Sequence, residues 1–139
     1  MELVVDANIL LAGVLKNALT RELLLDSRIR LCAPEHLILE TLHLLKTNSR
    51  LQKRVGLPFR ILQENFYLLT HEIETYPKKS YVPFLEPAIK IAPHREDAPY
   101  LALALLLRVP IWSNDKGLQS QNQVMVLTTQ QVVDLLSQR

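Results

Sequence analysis

Leu3-Val4-Val5-Asp6-Ala7-Asn8-Ile9-Leu10 opens the chain with an apolar, valine-rich run that stops at a carboxylate. A short run of this kind with no polar alternation reads as a strand buried on both faces, the habit of a parallel sheet. Residues 9–15 are apolar again and lead into 18–26, where Leu23, Leu24 and Leu25 predict a helix. Residues 31–33 read as a second strand, stopped by Pro34, which suits the first turn of a following helix. Over 35–48, Ile38, Thr41, Leu42 and Leu45 fall at helical spacing.

Further along, Pro58 opens a helix whose stripe is Phe59, Leu62, Phe66 and Leu69. Residues 75–83, with Pro77, Lys78, Lys79 and Ser80, read as a loop, and 84–92 as a short helix with Pro87 near its start. Residues 96–107 predict a helix that is almost entirely apolar after its first turn, hence central. Strands are expected at 109–113 and 124–127, and Thr128 or Thr129 caps a last helix running to about residue 137. Short apolar strands alternating with helices predict a three-layer α/β/α sandwich around a mostly parallel sheet, read as one domain over 1–139.

Composition removes several function classes. The 139 residues are 48% hydrophobic and 22% charged, enough to build a core. Lys plus Arg is 16 against 14 Asp plus Glu, and a net charge of +2 does not announce a nucleic-acid binder by itself. The lone cysteine, Cys32, excludes an internal disulfide and a Cys-rich zinc site. Gly13, Gly56 and Gly117 form neither common glycine-rich phosphate cradle. The longest apolar run, 101–107, is far short of the roughly 20 residues that span a bilayer. Glu2 and Asp6 stand where a signal peptide carries positive charge, so a cytoplasmic protein without a membrane anchor is expected.

In parallel sheets, ligands bind beyond the carboxyl ends of the strands. Asp6 and Asp115 each directly follow a strand and would share one sheet edge. Asp97 lies in the first turn of the apolar helix, with Leu101 and Ala104 on its face. Glu40 is flanked by Leu37 and Leu44. Each has a plainer reading: Asp6 as a helix cap, Asp97 as a partner of the helix dipole, Glu40 as a solvated residue, Asp115 as a turn former. Convergence favours a shared role, because clustered carboxylates beside a core repel unless a cation neutralises them. Oxygen donors without His or Cys suit Mg²⁺ or Mn²⁺.

The run Val4–Leu10, the stretch from Asp97 to Leu105, the segment Pro110-Ile111-Trp112-Ser113-Asn114-Asp115 and the strand ending Leu127-Thr128-Thr129 together resemble the PIN-domain family over nearly the whole chain. In size the chain is similar to VapC-type toxin ribonucleases of toxin–antitoxin pairs. The resemblance implies a metal-dependent endoribonuclease in which Asp6, Glu40, Asp97 and Asp115 hold one or two Mg²⁺ or Mn²⁺ ions. Water activated by the metal would cleave RNA in line, leaving a 5′-phosphate and a 3′-hydroxyl. It further implies that Asn8 orients Asp6 or its metal by hydrogen bonding, that Ser113 and Asn114 steady the same site, and that a small antitoxin protein and a second copy of the chain are partners. Many relatives carry another acid where this chain has Gly117, and Glu35 competes with Glu40 for the helix position.

Lys46, Arg50, Lys53, Arg54 and Arg60 follow one another without an intervening acid. They read either as a solvated helix end or, with Lys53 and Arg54 foremost, as an RNA-backbone contact. Lys116, beside Asp115, is a sharper candidate for a phosphate. His36, His43, His71 and His94 make no metal pattern, and the single Glu40–His43 pair lacks the second copy a di-iron bundle needs. Cys32 and Trp112 read as core. A haloacid-dehalogenase-like phosphatase would need an acid where Asn8 stands, and a phosphoacceptor receiver domain an acidic pair that is missing. The competing reading within the family is a catalytically silent module that binds RNA or a protein.

Overall fold

The computed structural model describes residues 1–15 and 17–138. Its elements run β1 (Glu2–Val5), α1 (Ala7–Val14), α2 (Ala18–Leu24), β2 (Arg30–Pro34), α3 (Glu35–Thr47), α4 (Ser49–Val55), α5 (Phe59–Thr70), β3 (Glu74–Tyr76) and α6 (Lys78–Ile91). A 3-10 turn at Arg95–Asp97 then leads into α7 (Ala98–Leu107), β4 (Ile111–Trp112), α8 (Lys116–Gln119), β5 (Val126–Leu127) and α9 (Thr129–Ser137). The five strands form one parallel sheet in the order β3-β2-β1-β4-β5. This is the expected α/β sandwich.

β1 is central because its residues suit burial on both sides. Val4 pairs with Cys32 of β2 and Ile111 of β4. Side chains alternate across a strand, so Leu3 and Val5 enter the layer built with α1, α2, α3, α5 and α9, together with Leu31, Ala33 and Trp112. Val4, Cys32 and Ile111 enter the opposite layer, where α6 and α7 supply Tyr81, Ala88, Leu101 and Leu103. α7 is apolar all round because it is enclosed; Leu101, Ala102 and Leu103 are fully buried. Among the described residues, no helix is long and apolar enough to cross a membrane.

The order also reverses in a telling place. The chain lays β1, β2 and β3 outward on one side, then returns to place β4 and β5 on the other side of β1. The switch therefore lies between β1 and β4, where open parallel sheets leave a crevice at their carboxyl edge.

Three expectations need correction, and one helix was not anticipated. Residues 75–83 are not a loop: they hold the end of β3 and the start of α6. α6 carries Pro83 and Pro87 in its interior, not at its start. Both prolines are exposed, so carbonyls left without an N–H partner can take water, while Tyr81 and Ala88 bury the other face. The basic segment after α3 contains a separate helix, α4, capped by Asn48 and ended by Gly56 in the left-handed conformation at φ 73°. The stretch after Asp115 is a short helix instead of a simple turn.

Candidate active site

Asp6 leaves the end of β1 and caps α1, with Oδ1 accepting the Ile9 N–H at 2.9 Å. The Asp6 N–H donates to the Trp112 carbonyl, which keeps the ends of β1 and β4 side by side. Asp115 follows β4 and caps α8; its Oδ1 accepts from Gly117 at 2.7 Å and Leu118 at 3.3 Å. Both acids are thus helix caps, as the plainer reading of Asp6 held, and both also flank the switch crevice.

Ser113 couples them. Its hydroxyl is fully buried, donates to the Asp6 carboxylate and accepts the Asp115 N–H at 3.1 Å. Asp97 stands at the head of α7 but makes no capping bond there. Among the described residues its Oδ2 is the buried side-chain oxygen without a partner.

Electrostatics bind these three acids into one unit. Asp6 is 5% exposed, and burial raises its pKa; the Ser113 hydroxyl and the Ile9 N–H oppose the rise, and the charges of Asp115 and Asp97 add to it. Burial also raises the pKa of Asp97, followed by the charge of Asp115, while His94 and its backbone oppose the rise. Desolvated carboxylates that repel one another are held together at a cost, which a cation would remove.

Tyr100, one turn into α7, is part of this unit and went unnoticed in the sequence. Its hydroxyl accepts the Ala7 N–H at 3.0 Å. Burial, and the charges of Asp6, Glu40 and Asp97, hold it protonated. Its spacing of three residues after Asp97, on the same helix face, was the available clue.

The two α3 acids separate. Glu40 is exposed and adds its charge at Tyr100, whereas Glu35 lines a different cleft and acts on Tyr81. Asn8 is exposed in the first turn of α1, and Asp6 Oδ1 takes its bond from Ile9, not from Asn8. Asn114 turns away from the acids: its side chain donates to Thr129 Oγ1 at 3.0 Å and accepts the Thr129 N–H at 2.9 Å. Thr129 also accepts from the Trp112 indole at 3.0 Å, so this trio ties β4 to the head of α9.

Lys116 is exposed directly beside Asp115. Lys53 and Arg54 lie in the last turn of α4, on the far side of α3 in the chain. α3 leaves the carboxyl edge and runs 13 residues, about 20 Å at helical rise, before α4 begins. Cys32 is core, its thiol pushed up to about 12 by burial and the neighbouring Glu2, which leaves no thiolate chemistry.

The donor set consists of carboxylate oxygens, with an unpartnered buried oxygen on Asp97, and suits a hard divalent cation. As the side chains stand, no three His, Cys, Asp or Glu among the described residues are gathered closely enough to cage an ion. Oδ1 of Asp6 and of Asp115 serve backbone N–H groups, which leaves their second oxygens and Asp97 Oδ2 as the donors for an ion.

Gly117 leaves little room for a larger residue: an added Cβ would stand 3.1 Å from Asp115 Oδ1.

No curated protein matches the chain. The family model described as PIN domain matches residues 4–136. That span runs from β1 to α9 and contains every acid of the crevice. The chain therefore belongs to the PIN-domain family, whose members are typically nucleases that use divalent metal ions.

Proposed function

We propose that the protein is an endoribonuclease dependent on Mg²⁺ or Mn²⁺, acting as the toxin of a toxin–antitoxin pair. The observation that carries the nuclease reading is the crevice between β1 and β4, where burial and the charge of Asp115 raise the proton affinity of Asp6 and Asp97, and Asp97 Oδ2 has no partner. Asp6, Asp97 and Asp115 would hold the ion, with Glu40 closing the site from α3. One ion or two is compatible with four carboxylates, and Gly117 withholds a fifth.

The chemistry such an ion supplies is a lowered pKa for a neighbouring water and compensation of charge developing on the phosphate. The chain's own residues do the rest. Ser113 fixes Asp6 and Asp115 relative to each other. Tyr100 holds the backbone of Ala7, and with it the start of α1, against α7. Lys116 is placed to meet a substrate phosphate beside Asp115. In-line attack by water leaves a 5′-phosphate and a 3′-hydroxyl.

The size and family support a toxin with a small antitoxin protein as partner, a homodimeric state and a cytoplasmic location. The competing reading is a silent module that binds RNA or a protein; the absence of a ready-made cage among the described residues favours it. Cleavage of a mixed structured and single-stranded RNA pool separates the two. Activity with Mg²⁺ or Mn²⁺, lost in EDTA and in Asp97→Asn, supports the nuclease. A folded protein, free of partner, that cleaves nothing supports the silent module.

A further inference from the structure

A second cleft of about 530 Å³ opens on the same carboxyl edge as the acids, beyond β2 and β3. Glu35 and Pro77, the residues directly after those strands, line it together with residues of α3, α6 and the head of α7. Its apolar walls are Leu39, Leu85 and Ile89; Leu39 is 62% exposed and Ile89 47%. Its polar handle is the buried Tyr81, whose hydroxyl meets His36 Nδ1 at 3.3 Å. Lys78 and Arg95 bring cations to the lining. The cleft adjoins the acids by chain: Leu39 precedes Glu40, and Arg95, Ala98 and Pro99 flank Asp97.

We propose that this cleft seats one unstacked base of single-stranded RNA next to the cleaved phosphate, with Lys78 and Arg95 meeting the adjoining phosphates. The inference rests on the nuclease reading above and names what the protein recognises. The apolar walls suit the faces of a base, which pack between apolar as well as aromatic side chains when a nucleotide is unstacked. His36, exposed and held at Nδ1 by the buried Tyr81 hydroxyl, offers its other ring nitrogen to a base edge. The volume falls in the range of pockets that enclose small ligands. Lys78 and Arg95 outnumber the one carboxylate of the lining, Glu35, and favour an anionic strand over an uncharged protein segment.

The test measures binding of fluorescent single-stranded 12-mer RNAs by anisotropy, in the Asp97→Asn background so that cleavage does not intervene. A series of oligonucleotides carries a single abasic position, moved along the strand. One position should lose about tenfold in affinity when its base is removed. Adding Leu39→Glu should weaken the intact RNA about tenfold and erase the difference between intact and abasic strands. Ile89→Ser serves as the second variant should Leu39→Glu melt early, with the same loss of discrimination. In the otherwise native protein, Leu39→Glu should raise KM more than it lowers kcat.

If the native protein cleaves RNA with metal but no abasic position matters, and Leu39→Glu binds and cleaves like its parent, the cleft proposal is overturned and the nuclease reading stands. If the native protein neither binds nor cleaves RNA, both are overturned. If Leu39→Glu abolishes binding of a protein partner and leaves RNA affinity unchanged, the cleft is a protein-docking groove and the proposal is overturned.

Discussion

Replacing Asp97 with asparagine should make the metal-free protein more stable, although it removes a residue assigned to the active centre. The Asp97 carboxylate does not cap α7, so no helix bond is lost. Its Oδ2 is buried without a partner, and the charge of Asp115 acts against it. A buried polar atom left unpaired costs about 1–3 kcal/mol. Asparagine keeps a polar atom there and removes the charge, so the lower end applies, about 1 kcal/mol. In a chain of this size that is a rise in Tm of about 4 °C.

The pH dependence follows in sign. Burial first, then Asp115, lifts the Asp97 pKa above its model-compound value of 3.8, and burial lifts Asp6 in the same direction. Below 3.8 both folded and unfolded chains are protonated at these groups. Above it the unfolded chain ionises while the folded chain keeps its protons, so stability falls as pH rises through the raised values. The metal-free native protein should therefore lose part of its stability between pH 4 and the raised pKa values, and Asp97→Asn should lose less. Adding Mn²⁺ at a hundred times its Kd should return about 2.7 kcal/mol to the native protein and much less to the variant. Scanning fluorimetry over this pH range, with and without Mn²⁺, reads all three. An Asp97→Asn protein that melts below the native one at neutral pH without metal, with an unchanged pH profile, would refute the reasoning.

Ser113→Ala removes the buried hydroxyl between Asp6 and Asp115; it should cost about 1–3 kcal/mol in denaturant unfolding and weaken Mn²⁺ binding by calorimetry. Tyr100→Phe leaves the Ala7 N–H without its acceptor and should cost about 1 kcal/mol in the same unfolding assay, with a fall in kcat if the start of α1 shifts. Gly117→Asp forces its Cβ to within 3.1 Å of Asp115 Oδ1, so the melting response to Mn²⁺ should shrink, even though an acid has been added. Asn114→Ala cuts the tie to Thr129 and should lower Tm by about 4 °C, as a loss of about 1 kcal/mol does in a chain of this size, while the Mn²⁺ response stays native.

The sheet was legible where strands are buried on both faces. Leu3, Val4 and Val5 have no polar alternation because helices cover both sides, and the acid that ends the run marks the crevice. β3 was not legible: Glu74, Thr75 and Tyr76 form an edge strand that buries none of its residues fully, so no apolar run announces it. α4 buries none of its residues fully either, and only Asn48 and Gly56, its two end residues, could have marked it. The first half of α6 was hidden by Pro77 and Pro83, which read as loop; its cohesion comes from packing on α7, a tertiary effect that propensity does not contain.

Within the site, Asp6, Asp97 and Asp115 could be read from their positions at strand ends and a helix head. The directions of Asn8 and Asn114 could not, since a side chain's partner depends on what the fold brings beside it. Thr129 comes from an element 15 residues after Asn114 in the chain. The reach of Lys53 and Arg54 could not be read either, because nearness to the acids depends on which way α3 and α4 run.

The most direct measurement is the chemistry of the ends left on RNA fragments after digestion with Mg²⁺ or Mn²⁺. Water-driven cleavage at the carboxylate crevice requires 5′-phosphate and 3′-hydroxyl ends, formed equally well when the 2′-hydroxyl at the cleaved position is replaced by hydrogen, and absent with EDTA or Asp97→Asn. Ends bearing a 2′,3′-cyclic phosphate, or cleavage indifferent to EDTA and to Asp97→Asn, would contradict the assignment of these acids as a metal-dependent nuclease centre.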